Sequence, residues 1–81
     1  MTNLEKYNKA FMETLGVTEA QLPSLQYQGI EAWDSVGHMT LVSALEEAFD
    51  IMLDTDDVIG LSSYEKGKEI LSSKEEYGVQ F

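Results

Sequence analysis

An all-α fold is what this sequence predicts, on three observations. Apolar residues recur at helical spacing in two long segments. Capping patterns stand ahead of three segments, and the helix breakers Pro23 and Gly29 gather in one connection. The expected architecture is a small four-helix bundle of three main helices and one short one. A long ordered loop joins the first two, and residues 1–81 form a single domain. A chain of 81 residues buries only roughly 60–65% of the surface its unfolded form exposes, so the core must be small.

The first helix is expected over residues 2–15, where Leu4, Tyr7, Phe11 and Leu15 form a stripe. Thr2 followed by Glu5 resembles a capping box, and Gly16 suits the position after the last turn. Residues 17–33 do not sustain a helix, although Thr18 to Gln21 can form a short capped turn. Leu22, Leu25, Tyr27, Ile30 and Trp33 predict that this connection is pinned to the core, with Trp33 as its main anchor.

A second helix should open at Asp34–Ser35, both good N-cap residues, and run to about Asp50. At about 100° per residue, Met39, Val42, Leu45 and Phe49 share one face. Thr40, Ser43, Glu47 and Asp50 fall on the other, and Val36 falls with them as an apolar residue on a polar face. A short third helix is predicted at Asp56 to Ile59, capped by Asp54 or Thr55 and ended by Gly60. Ser62 with Glu65 suggests a cap for a fourth helix, to about Lys74. Gly67 inside that helix costs about 1 kcal/mol relative to alanine, which implies a close helix approach. Residues 75–81 read as a flexible tail, with Tyr77, Val79 and Phe81 able to tuck inward. There is no repeat, linker or low-complexity stretch.

Fifteen Asp and Glu against five Lys and Arg give a formal net charge of −10. Such a field repels phosphate backbones, which argues against nucleic acid, and steers basic surfaces in. Without cysteine the chain has no disulfide and no thiol of its own. No apolar run reaches bilayer length, and residues 1–11 lack a signal-peptide core, so a soluble, cytoplasmic protein is expected. His38 is the only histidine. Lying one turn after Ser35, it reads as a solvated surface residue, and no base–nucleophile arrangement is visible. A calcium loop over residues 54–65 would use Asp54, Asp56 and Glu65, but Val58 and Ile59 stand where an oxygen ligand and a glycine are needed.

The stretch AWDSVGHMTLVSALEEAFDI, residues 32–51, closely resembles the attachment segment of acyl carrier proteins. Asp34 and Ser35 match that family's Asp-Ser pair, Val36 matches the hydrophobic residue that follows, and Leu41 to Asp50 continue in register. The order of predicted elements along nearly the whole chain is also similar to the family's free-standing members. The resemblance implies that Ser35 receives 4′-phosphopantetheine from coenzyme A, installed by a phosphopantetheinyl transferase with a divalent metal. A monomeric carrier and no catalysis of its own are then expected. A ligase or acyltransferase would load the arm, and downstream biosynthetic enzymes with basic patches would dock on Val36, Glu46, Glu47, Asp56 and Asp57. Val42, Leu45 and Ile59 would shelter an acyl chain. Two positions depart from carriers of central fatty acid synthesis: Gly37 and Thr40 replace acidic residues. A dedicated biosynthetic pathway is therefore expected. The other readings are an aminoacyl or peptidyl carrier, and an acidic helical interaction module without prosthetic group.

Overall fold

The computed structural model describes all residues, Met1 to Phe81, and is all-α. Its elements are α1 (Asn3–Leu15), a 3-10 helix (Glu19–Ser24), α2 (Ser35–Phe49), α3 (Thr55–Gly60) and α4 (Tyr64–Ser73).

Both ends of α1 are closed as the sequence predicts. Thr2 Oγ1 accepts from the Glu5 amide at 3.1 Å, and Glu5 Oε1 accepts from the Thr2 amide at 2.9 Å, so two otherwise unpaired donors are satisfied reciprocally. Gly16 takes φ 67° and donates to Met12 O at 2.9 Å, a left-handed stop that glycine adopts without steric cost. Tyr7, Ala10, Phe11 and Leu15 are buried, while Leu4 in the first turn stays partly exposed.

α2 packs along α1, and its buried residues are Leu41, Val42 and Leu45. Met39 is 54% exposed, so the inward face is turned from the predicted one. The cause is His38, which faces inward between Trp33 and the α3 backbone and draws Leu41 into the core. Asp50 ends the helix with φ 53°, a left-handed conformation that aspartate tolerates better than most residues.

The long connection is ordered from end to end. Gln21 Oε1 accepts from the Thr18 amide at 2.9 Å, and the Gln21 amide donates to the Thr18 carbonyl at 3.0 Å, which closes the turn that opens the 3-10 helix. Further on, Tyr27 N donates to Ser62 O at 2.8 Å and Tyr64 N to Leu25 O at 3.1 Å. These form a single antiparallel bridge that ties the loop to the α3–α4 connection. Trp33, fully buried, then anchors the loop's far end. Removing a side chain of this size from water is worth roughly 2–3 kcal/mol. Its ring meets Phe11 edge-on at 5.5 Å, within an aromatic cluster completed by Tyr7 and Tyr64.

α4 opens one residue later than predicted: Ser63, not Ser62, accepts from the Lys66 amide at 3.0 Å. The reason is the bridge, which pairs Ser63 with Gln26 and takes the Ser62 carbonyl, so the chain stays extended through Ser63 and turns helical only after it.

The segment expected as a flexible tail packs against the domain. Tyr77 and Val79 are buried, Phe81 meets the Tyr7 ring edge-on at 5.2 Å, and Asn3 Nδ2 donates to Gln80 O at 3.0 Å. The anchor is Asp57, whose Oδ2 accepts from Lys74 Nζ at 2.6 Å and from the Tyr77 hydroxyl. That phenol in turn accepts from the Asp54 amide at 2.9 Å.

The bond from Lys74, with that from Tyr77, holds the Asp57 carboxyl below the ordinary range. A folded-state value below the unfolded one gives stability that is complete above the unfolded pKa and is lost as pH falls through the folded one. Lys74 is partly exposed, so screening limits the gain to about 1 kcal/mol. At neutral pH, Asp57→Asn should therefore melt about 4–8 °C below wild type. That gap should shrink once the pH drops below about 4, where unperturbed aspartates protonate. Thermal melts of both proteins from neutral to acid pH read this directly. Parallel curves would mean that the tail is held by its apolar contacts alone.

Candidate functional site

Ser35 is the first residue of α2 and is exposed. Asp34 precedes it as the N-cap, and its Oδ1 accepts from the Gly37 amide at 2.8 Å. The cap fixes where the helix starts and therefore where the serine hydroxyl sits. A shallow open depression beside the serine is lined by Ser35, Val36, Met39, Thr40 and Ser43. Val36 is 75% exposed on this surface. From Ser35 to Leu45 no acidic residue and no lysine occurs. In a chain of net charge −10, the first turns of α2 after Asp34 thus carry no acidic side chain and present a partly apolar surface.

The loop sets the geometry of this helix start. A Cβ on Gly37 would fall on the carbonyl oxygen of Ala32, a backbone atom that cannot turn aside. Glycine at position 37 is therefore required by the way the loop enters the helix. Tyr27 reaches the same place from the loop: its hydroxyl lies 3.2 Å from Ser35 Oγ.

His38 corrects the expectation of a solvated surface residue. Its ring is half-buried, accepts at Nδ1 from the Trp33 indole N–H at 3.0 Å, and lies with Nε2 2.7 Å from the Val58 carbonyl. An indole nitrogen can only donate, so the ring accepts there and donates from Nε2 to the carbonyl. One side chain thereby ties the loop, α2 and α3 together directly behind Ser35.

The remaining predicted site residues separate. Asp57 is buried under Lys74 and Tyr77 and is not a free surface charge. Glu46 is half-buried and uses Oε2 to accept from the Leu53 amide at 2.9 Å, closing the turn after α2. Glu47 and Asp56 are exposed, and Glu47 lines a groove between α1 and α2 together with Lys6 and Lys9. Val42 and Leu45 lie in the close-packed core and line neither the depression beside Ser35 nor the groove between α1 and α2. Ile59 is 76% exposed and borders no interior space with them. The calcium alternative fails on geometry as well as on sequence: Thr55–Gly60 is helical, and no three acidic groups gather to hold a metal ion. No helix is long and apolar enough to cross a membrane.

Sequence reasoning missed Tyr27 and the bridging role of His38. Neither has a local signal, because both depend on how a connection with no repeating pattern folds back. No protein-family model matches the chain, and neither the curated proteins nor the solved structures contain a significant match.

Proposed function

We propose that this chain is an acyl carrier protein, which carries acyl groups as thioesters on a 4′-phosphopantetheine arm attached to Ser35. Its helices form the small four-helix bundle of that class, with the long loop between α1 and α2. The observation that carries the reading is the exposed Ser35 hydroxyl at the capped start of a long, rigid helix, in a sequence context that resembles the family's attachment segment. A serine so placed is an acceptor of modification. No base stands within hydrogen-bond reach of it, since its one side-chain partner is a tyrosine hydroxyl. The chain has no cysteine, and the arm supplies the missing thiol.

Carriage works through tethering. A cargo on a flexible arm meets each partner at high effective concentration, and weak docking permits handover. Two features support a dedicated biosynthetic pathway over central fatty acid synthesis: the lack of acidic side chains from Val36 to Leu45, and the loop packing that demands Gly37. Glu47 and Asp56 remain as charges for basic partners, with Val36 as the apolar contact. Sheltering of cargo between Val42 and Leu45 requires the core to part, because both are close-packed.

Intact mass after incubation with coenzyme A, magnesium and a broad-specificity phosphopantetheinyl transferase tests the reading. Wild type should gain one phosphopantetheine and Ser35→Ala none. No gain in wild type, with the transferase active on a control carrier, would leave an acidic helical interaction module instead.

A further inference from the structure

The two hydroxyls at the start of α2 are each other's only side-chain partners. Tyr27 Oη lies 3.2 Å from Ser35 Oγ, and neither makes another hydrogen bond within the protein. Packing does not account for the phenol oxygen. The Tyr27 ring is 36% exposed and rests edge-on against His38 at 5.1 Å and Trp33 at 6.3 Å. Phenylalanine would make the same ring contacts.

The backbone, meanwhile, goes to some cost to hold Tyr27 where it is. Its amide is fixed to Ser62 O at 2.8 Å, and the next residue, Gln28, takes φ 62° in a turn closed by Gly29 N donating to Gln26 O at 2.8 Å. A left-handed glutamine costs of order 1 kcal/mol relative to glycine there. The neighbouring ring contact is also fixed, because His38 is held from both of its nitrogens. The phenol is thus delivered to the serine by a built loop rather than by a free side chain.

We infer that Tyr27 is the positioning residue for Ser35, holding its hydroxyl for attack on coenzyme A and then donating to the ester that forms. This rests on the carrier reading of Ser35. In the attachment step the Ser35 oxygen forms a bond to the phosphorus next to the pantetheine. The pyrophosphate P–O bond breaks, and adenosine bisphosphate leaves with the electron pair. The serine proton passes to a base on the transferase. Before the step either hydroxyl can donate to the other. After it, Ser35 Oγ has no proton, so the phenol must donate, to the ester oxygen or to the charged phosphate beside it. A hydrogen bond to the charged group is the stronger of the two situations. The contact therefore survives modification with its direction fixed.

Tyr27→Phe removes the hydroxyl and keeps the ring. Initial rates of coenzyme A-dependent modification by a purified phosphopantetheinyl transferase should show kcat reduced about three- to tenfold, the scale of one neutral hydrogen bond. KM should stay close to wild type. The phosphodiester resonance of the modified proteins should differ between Tyr27→Phe and wild type in phosphorus NMR, a change that a purely structural residue would not produce. Equal kcat and equal phosphorus shifts in the two proteins would overturn the inference while leaving the carrier reading intact. A raised KM at unchanged kcat would also overturn it, making Tyr27 a docking contact. Failure of wild type itself to be modified would remove the carrier reading, and this inference with it.

Discussion

Replacing Gly67 by alanine should lower the melting temperature by about 10–20 °C, even though alanine is the better helix former. Two effects compete at this position. Helix propensity favours alanine by about 1 kcal/mol. Against that, the added Cβ would fall on the Tyr7 hydroxyl and 2.6 Å from Leu61 Cδ1. Leu61 could give way by a rotamer change, but Tyr7 cannot. It is fully buried, its ring lies 4.8 Å from Phe11 and 5.2 Å from both Tyr64 and Phe81, and its hydroxyl donates to Tyr64 O at 2.7 Å. Burial raises the phenol's pKa far above its ordinary value, so it stays a neutral donor whose bond is needed. Overpacking costs about 1–3 kcal/mol, and loss of a buried hydrogen bond a further 1–3 kcal/mol or so. The net is about 1–5 kcal/mol, and about 2.5 kcal/mol within that range corresponds to the stated drop at about 4–8 °C per kcal/mol. Thermal unfolding followed by circular dichroism measures it. A variant that melts at or above wild type would show that α1 and α4 can move apart at this contact at no cost.

What could be read from the sequence was whatever repeats or caps locally. The Thr2–Glu5 box, the Gly16 stop, the Thr18–Gln21 turn and the Asp34 cap are short-range patterns, and each is present. Gly67 was legible for a related reason, since a poor helix former inside a helix calls for a spatial cause. The misreadings have a common origin in contacts between residues far apart in the chain. Ser63 replaces Ser62 as cap because the bridge to the loop keeps the chain extended through Ser63, and the tail is ordered because Asp57 holds Tyr77 and Lys74. Likewise Met39 faces out because His38 is claimed by Trp33 and Val58. At the candidate site, Ser35 and Asp34 could be found from one stretch of sequence, whereas Tyr27 could not. It lies eight positions before Ser35, and only the turn through Gln28 and the bridge to Ser63 bring it there.

His38→Leu should be strongly destabilising while leaving both partner hydroxyls at Ser35 in place. It keeps an apolar side chain in the half-buried position but leaves the Trp33 indole N–H without its acceptor and the Val58 carbonyl without its donor. Each stranded group costs roughly 1–3 kcal/mol, for a total of about 2–4 kcal/mol once partial access to water is allowed for. Trp33 is the only tryptophan, so its emission reports the joint without interference. A red-shifted spectrum should accompany the lower melting temperature as water reaches the indole. His38→Gln, with a donor and an acceptor on one amide, should recover part of both. Arm loading should respond far less than stability, because the Asp34 cap that fixes the helix start does not pass through His38. Wild-type stability and emission in His38→Leu would mean that the loop is held by Trp33 burial and the Ser62 bridge alone. A loss of loading as large as the loss of stability would place His38 in the handling of Ser35 and not only in the joint behind it.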